Sequence, residues 1–262
     1  MHTLKQKITK LGLLLLKKTE ALSALSCRLV QITGKHINPI HPKHLVKIRP
    51  PWYLSKLKKS DVVLDIGCNN GQHTLRIARV TKHVYAFDRD PHMLQLASQE
   101  IARLGIFNIT LKQGDAQKRL PYKKNYFDAV VFLDVFEHLS KRDLVLKEIS
   151  RVLKPHGKLL ISIPKADTSW KKLQQQYGLF YFSDPDHKIE FTELEIRAVL
   201  RIAKFKITSV QPVTLDTPWV GFIDLVGGLP LRLYKKLSYW RREQALKHPN
   251  NSIGLEIMSE KI

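Results

Sequence analysis

The sequence predicts an α/β fold in which a doubly wound sheet carries helices on both faces. From about residue 60, short apolar runs of strand length alternate with helical patterns. The first run ends in a glycine-bearing turn from Gly67 to Gly71, and the second closes on the acidic residue Asp88. The 262 residues are 44% hydrophobic and 26% charged, which excludes disordered, collagen-like and low-complexity proteins.

Positive charge is concentrated in the N-terminal part of the chain. Residues 1–60 hold 13 basic side chains and one acidic side chain, within a formal net charge of +21 for the whole chain. Such a segment suits a polyanion: RNA, an anionic membrane surface or a phosphorylated substrate. Two cysteines 41 positions apart, Cys27 and Cys68, disfavour a disulfide scaffold and a zinc ribbon, so we expect a reducing, cytoplasmic setting.

The basic segment also has an apolar stripe at helical spacing. Its members are Leu4, Ile8, Leu11, Leu15, Leu22, Leu25 and Leu29. This spacing predicts one amphipathic helix of roughly 30 residues. Three roles stay open: packing on its own domain or a second copy, lying on an anionic membrane through residues 1–33, or contacting RNA. The apolar runs are too short to span a bilayer, and the charges at 17–20 disfavour a signal peptide.

The first strand–helix–strand unit carries the chemistry of a nucleoside site. The strand Val62–Ile66 leads into the glycine turn, where no side chain obstructs a ligand. Asn69 stands where a middle glycine is usual, and asparagine tolerates the left-handed conformation that the turn needs. Asp88 can accept hydrogen bonds from both hydroxyls of a ribose. The carboxylate of Asp65 would repel a phosphate and attract an ammonium or sulfonium, so the loop favours a nucleoside that carries positive charge.

Five stretches in order resemble the motifs of class I S-adenosylmethionine-dependent methyltransferases of the type 11-like group. They are residues 63–71, 87–90, 113–116, 127–131 and 153–159. The resemblance covers about 100 residues and implies S-adenosylmethionine as the cofactor and methyl transfer as the activity. It also implies a Rossmann-like sheet of seven strands. Its antiparallel edge hairpin would be formed by residues 205–213 and 252–259.

The resemblance carries nine cofactor-binding positions over to this chain. They are Asp65, Gly67, Cys68, Gly71, Asp88, Arg89, Asp115, Ala116 and Asp134. Asp65, Gly67, Cys68 and Gly71 form the motif on the methionine side. Asp88 would hold the ribose, and Arg89, Asp115 and Ala116 would flank and read the adenine. Asp134 lies where the family brings cofactor and substrate together. As alternatives, Asp88 is a strand-end acid, Asp115 a turn residue and Asp134 a solvated loop acid.

Two histidines are candidates for catalysis, and we expect no metal site. Methyl transfer from a sulfonium needs alignment and exclusion of water, and it needs a general base only when the acceptor arrives protonated. His187 lies in the stretch after the fifth strand, where substrates are commonly covered. His138 lies in an acid–histidine position that is often structural in the family. An unperturbed histidine can accept a proton at neutral pH.

The sequence predicts a basic arm and linker at 1–59 and a methyltransferase domain at 60–262. Insertions at about 165–190 and 214–250 are rich in aromatic residues, and they are expected to select a small-molecule, lipid or glycan acceptor. An RNA methyltransferase is the first alternative, although no motif for base methylation follows the fourth strand. A non-catalytic, cofactor-binding scaffold at a membrane and a nicotinamide oxidoreductase are the others. The expected location is the cytoplasm, with peripheral membrane attachment left open.

Overall fold

The computed structural model describes residues 2–37, 39–46 and 50–262, with side chains from residue 9 onward except at residue 44. The strands are β1 Val62–Ile66, β2 His83–Asp88, β3 Ile109–Gln113, β4 Phe127–Leu133, β5 Leu153–Pro164, β6 Phe205–Pro212 and β7 Gly254–Lys261. The helices are α1 His2–Lys18, α2 Leu22–Ile32, α3 Gln72–Ala78, α4 Pro91–Leu104, α5 Arg142–Val152, α6 Ser169–Gln176, α7 Glu193–Ile202, α8 Val220–Gly228 and α9 Leu231–Lys247.

The seven strands form one sheet in the order β3-β2-β1-β4-β5-β7-β6. The strand β1 pairs in parallel with β2 on one side and with β4 on the other, and β5 pairs antiparallel with β7. This confirms the doubly wound, seven-stranded sheet with an antiparallel edge. Successive strands extend from β1 to β2 and β3 on one side of the sheet, and from β4 to β5 on the other. The strand order therefore reverses between β1 and β4, and the crevice beyond their carboxyl ends is the expected ligand site.

The sheet is buried on both faces. In β4, the residues Ala129 to Phe132 are all fully buried, as parallel strands between helical layers require. Aromatic rings fill one side of this core: Phe132 contacts Phe136 edge to face, and Phe136 stacks on Phe191. The core therefore holds the ends of the strands, and the loops that follow them, in fixed positions.

The chain forms two compact units. The sheet unit contains residues 51–165, 183–211 and 254–262. The arm unit contains residues 1–50, 166–182 and 212–253, and so joins the expected arm with most of both expected insertions. The sequence alone predicts those three segments as separate features of the chain.

The structure corrects the prediction of one long N-terminal helix. The helix α1 ends at Lys18, a 3-10 turn covers Thr19–Ala21, and α2 begins at Leu22. The predicted stripe is not the buried face, because Leu11 and Leu15 are 60% and 59% exposed. Among the side chains that the structure describes in these two helices, the buried ones are Leu13, Ser26 and Val30. The side chains of Leu4 and Ile8 lie outside the described residues.

The helix α8 packs closely on the 3-10 turn and on α2. A Cβ atom on Gly221 would collide with the carbonyl group of Thr19, and one on Gly228 would collide with Leu29. The glycines of α8 thus allow the backbones to approach. In the described parts of the chain, we find no helix that is both long enough and apolar enough to cross a membrane.

Candidate active site

The glycine loop after β1 adopts the backbone that the sequence predicts. Gly67, Asn69 and Gly71 have φ angles of 76°, 48° and 80°, all in the left-handed region. Asn69 thus replaces the usual middle glycine without loss of the turn. At Gly67 a side chain is also excluded by space, because a Cβ atom would collide with Val135. The backbone N–H of Gly67 donates to the carbonyl of Phe87 at 2.8 Å, which joins the loop to the end of β2.

Asp88 lies at the end of β2, beside this loop. Its Oδ2 atom accepts a hydrogen bond from the amide of Asn69 at 2.8 Å, and its Oδ1 atom accepts one from the amide of Asp90 at 2.9 Å. An ionised carboxylate offers about four lone-pair positions, so two amides leave capacity for the hydroxyls of a ribose. The half-buried side chain is therefore held in place and can still accept further hydrogen bonds.

Asp65 lies at the base of the loop and is only 2% exposed. Burial raises the pKa of its carboxyl to about 6, a hydrogen bond from Thr74 opposes that shift, and the negative charge of Asp88 adds to it. Two carboxylates so close together favour a cationic ligand at this end of the sheet. Cys68 is also buried, and burial raises the pKa of its thiol well above the ordinary value, so the thiol stays neutral.

The predicted adenine side of the site follows β3. The Oδ1 atom of Asp115 accepts a hydrogen bond from the amide of Gln117 at 2.9 Å, which fixes the turn that also holds Ala116. Arg89 is exposed, and its carbonyl accepts a hydrogen bond from the side chain of Gln113. Gly114 was not among the predicted site residues, although a Cβ atom there would collide with the ring of Phe87.

Asp134 follows β4 in a left-handed conformation, with φ of 53°. Its Oδ1 atom accepts a hydrogen bond of 2.8 Å from the hydroxyl of Ser162, and its backbone amide donates to the Ser162 carbonyl at 3.1 Å. The residue is exposed at the carboxyl end of β4. It is thus a fixed acid at the edge of the sheet where the ligand site is expected, and its predicted role stays a prediction.

The two predicted catalytic histidines are neighbours. The rings of His138 and His187 lie 4.7 Å apart between centroids, at an interplanar angle of 74°. The Nδ1 atom of His187 makes a hydrogen bond of 2.9 Å with Oε1 of Glu190. Its Nε2 atom lies 3.9 Å from Oε1 of Glu137. The structure therefore brings together residues that are 49 positions apart in the sequence.

Glu137 and Glu190 are the residues of this cluster that were not predicted from the sequence. The side chain of Glu137 is 1% exposed, and its Oε2 atom makes no hydrogen bond within the described ranges. Burial raises the pKa of its carboxyl to about 8. The charges of Asp134, Glu190 and Asp184 raise it further, against one backbone hydrogen bond that lowers it. The only signal in the sequence was the place of Glu137 beside His138, whereas the position of Glu190 gave none.

Comparison with known proteins identifies the family. Residues 57–210, more than half of the chain, match the model of Methyltransf_31, which is described as a methyltransferase domain. The chain belongs to this family. A demethylmenaquinone methyltransferase of Lactobacillus johnsonii is 39% identical over 108 residues, which cover 40% of this chain and 44% of that protein. The ubiquinone/menaquinone biosynthesis C-methyltransferase UbiE of Haemophilus ducreyi is 29% identical over 133 residues, or 49% of this chain and 51% of its own.

The methyltransferase domain also has close structural neighbours. A SAM-dependent methyltransferase of Methanosarcina mazei superposes with a TM-score of 0.57 and 20% identity, covering 82% of this chain and 98% of its own. The [4+2]-cyclase SpnF superposes with the same TM-score and 22% identity, and the match covers 79% of this chain and 76% of SpnF. These likenesses confirm the fold, and the second shows that this fold alone does not fix the reaction. The chain spans about half the length of the curated relatives it matches.

Family membership and fold confirm the resemblance to class I methyltransferases, whose cofactor is S-adenosylmethionine. The residues present fit this cofactor. The loop from Gly67 to Gly71 has the left-handed backbone of a nucleoside-binding glycine turn, and Asp88 keeps acceptor capacity for the ribose. The raised pKa of Asp65 reflects a buried carboxylate that a nearby sulfonium or ammonium would stabilise.

Proposed function

We propose that the protein transfers the methyl group of S-adenosylmethionine to a lipophilic small molecule at an anionic membrane surface. The observation that carries the methyl-transfer part is the left-handed glycine loop joined to Asp88, within a chain of the methyltransferase family. The acceptor class is supported by relatives named as menaquinone and ubiquinone methyltransferases. The membrane part is supported by the surface of the arm unit.

The residues of the sheet unit bind and orient the reactants. When bound, the cofactor supplies an electrophilic methyl group, so the protein's task is alignment and exclusion of water. Asp88 would hold the ribose hydroxyls, and Asp115 would accept a hydrogen bond from the adenine. Asp134, fixed by Ser162 at the end of β4, would face the acceptor. An acceptor that arrives as a hydroxyl or carbon acid must also lose a proton, and His138 and His187 are the candidate groups for that step.

The arm unit combines exposed apolar and basic side chains. A groove of about 590 Å³ is lined by Thr9, Gly12, Leu13, Leu15, Leu16, Thr19, Trp219 and Phe222. Of these lining residues, Trp219 and Phe222 are 54% and 44% exposed. Lys10 and Lys18 are exposed on α1. Aromatic and aliphatic groups of this kind enter the interface of a bilayer, while lysines are attracted to anionic headgroups. This supports peripheral membrane attachment as the setting in which a lipophilic acceptor is met.

Transfer of a labelled methyl group tests the acceptor class. The protein is incubated with a cell extract and labelled S-adenosylmethionine, and the products are separated into lipid, water-soluble small-molecule, RNA and protein pools. We expect label in the lipid pool, and much less with Asp88→Ala. Label in RNA or protein would overturn the acceptor class, and a complete lack of transfer would favour the non-catalytic scaffold.

Vesicle sedimentation tests the membrane part separately. We expect binding to vesicles that contain phosphatidylglycerol, and weaker binding when Leu11→Ser and Leu15→Ser are combined. Both leucines are already about 60% exposed, so these changes cost little folding stability. Leu194→Ser, at an 81% exposed position of α7 in the sheet unit, is the matched control. Binding to RNA that falls steeply with salt, without vesicle binding, would instead show that the basic segment contacts RNA.

A further inference from the structure

Glu137, His138 and His187 converge on one point beyond the end of β4. One ligand atom from each lies within 4.8 Å of the others. Two ligands that share an ion at bonds of about 2.1 Å can be at most about 4.2 Å apart, so a contraction of about half an ångström brings all three into range. The 3.9 Å from His187 Nε2 to Glu137 Oε1 is too long for a hydrogen bond and already within that limit.

Both histidines make Nδ1 contacts of the kind that metal-binding histidines usually make. The Nδ1 atom of His187 bonds to Glu190 Oε1 at 2.9 Å, and that of His138 lies 3.4 Å from the carbonyl oxygen of Asp186. An acceptor at Nδ1 places the ring proton there and leaves the lone pair of Nε2 for a metal. In metal sites, a carboxylate often accepts a hydrogen bond from the ring nitrogen that does not bind the metal, and Glu190 has this position relative to His187.

Glu137 provides the independent observation. Its carboxylate is 1% exposed, yet Oε2 has no hydrogen-bond donor within the part of the chain that the structure describes. A buried polar atom without a partner costs free energy. A bound cation would satisfy the orphaned oxygen.

We propose that Glu137, His138 and His187 bind a divalent transition-metal ion. One carboxylate and two imidazoles suit Zn²⁺, Mn²⁺ or Fe²⁺, whereas Mg²⁺ prefers oxygen ligands alone. Three protein ligands leave coordination positions open, which water or an oxygen atom of the acceptor can take. The ion would then lower the pKa of that oxygen, and proton removal would no longer need a free imidazole.

Metal titration of the untagged 262-residue chain tests this without cofactor or acceptor. Binding of Mn²⁺ and Zn²⁺ is measured by calorimetry, and Co²⁺ is added as a probe whose visible absorption reports nitrogen and oxygen ligands. We expect one ion per chain, with affinity at least about tenfold lower in Glu137→Gln and His187→Ala and about 10–100-fold lower in Glu190→Gln. The control is His156→Asn, at an exposed histidine with φ of 60°, a conformation that asparagine tolerates.

Two results would overturn the site: no saturable binding by the intact protein, or equal affinity in the intact protein, Glu137→Gln and His187→Ala. Circular dichroism of each variant checks its fold, and Glu137→Gln preserves the side-chain volume if His187→Ala does not fold. Because the readout is metal affinity, a failure of methyl transfer leaves this result standing. Conversely, if methyl transfer persists in a variant that no longer binds metal, the ion binds at this site but takes no part in catalysis.

Discussion

The hydroxyl of Thr74 donates a hydrogen bond of 2.6 Å to Oδ2 of Asp65. This bond joins α3 to β1 directly beneath the glycine loop, where the carboxyl group is 2% exposed. Burial raises the pKa of Asp65 to about 6, although the Thr74 bond works against that shift. At neutral pH the folded protein thus holds an ionised carboxylate in a position that favours the neutral acid.

The first prediction is that Asp65→Asn stabilises the cofactor-free protein at pH 7. The folded pKa of about 6 lies above the unfolded value of about 3.9, so the folded state binds more protons between pH 4 and pH 6. Stability therefore falls as pH rises through this window and stays low above it. Asparagine removes the charge and can still accept the Thr74 bond, with a gain of up to about 3 kcal/mol at pH 7 that vanishes near pH 4.

Urea unfolding of both proteins at pH 7 and pH 4 measures this difference. A lower free energy of unfolding for Asp65→Asn at pH 7 would contradict the argument. Calorimetry with S-adenosylmethionine on the same samples asks whether Asp65 also serves the cofactor. Weaker binding by the more stable variant would show that the acid is kept for the ligand at the expense of stability.

The second prediction concerns the ribose. Asp88→Ala should weaken binding of S-adenosylmethionine by about 1.5–3 kcal/mol, the range for hydrogen bonds to a charged group. The change also removes the acceptor for the amides of Asn69 and Asp90, which hold the loop. Calorimetry is the measurement, with Asp143→Ala, at an exposed acid on α5, as the control. Unchanged affinity in a folded Asp88→Ala protein would show that the ribose lies elsewhere.

The sequence predicted the cofactor half of the sheet unit because its determinants are local. At the start of α4, the side chain of Asp90 accepts a hydrogen bond from the amide of His92, and Pro91 is the first helical residue. At the start of α7, Thr192 and Glu195 form a complete capping box. Both helix starts therefore follow from adjacent residues. The left-handed turn follows in the same way from two glycines and an asparagine. Such features depend on a few neighbouring side chains, and reasoning along the sequence reaches them.

The parts that escaped prediction depend on distant contacts. Ser23 donates a hydrogen bond of 2.6 Å to Asp224, 201 positions away, and this contact places α2 against α8. The stripe of leucines therefore gave the right kind of element and the wrong buried face. Likewise, Glu137 and Glu190 become part of the histidine cluster only when the chain after β5 returns to the end of β4. A periodic pattern within one segment contains no information about such partners.

The third prediction tests the packing of α8 on the 3-10 turn Thr19–Ala21, which leads into α2. Gly221→Ala should destabilise the arm unit by about 1–3 kcal/mol, because its Cβ atom would collide with the rigid carbonyl group of Thr19. Gly12→Ala is the matched control, since outside its own helix no atom of the described residues lies within 4 Å of a Cβ there, and alanine favours the helix. Thermal unfolding measures both variants. Equal stability of Gly221→Ala and the original protein would mean that the helices are not in this close contact.

The last prediction concerns turnover. His187→Ala should lower kcat by about 10²–10⁴-fold while the affinity for S-adenosylmethionine stays the same. His187 is 8% exposed beside Glu137 and bonds to Glu190, whereas eight of the nine predicted cofactor residues lie in β1, in β2 or in the loops after β1, β2 and β3. Turnover is followed as labelled methyl transfer into the lipid pool, with His156→Asn as the control and circular dichroism to check folding. Near-normal turnover would remove His187 from the reaction and leave alignment alone as the source of catalysis. If added Mn²⁺ partly restores the turnover of His187→Ala, the role of His187 is to bind the metal.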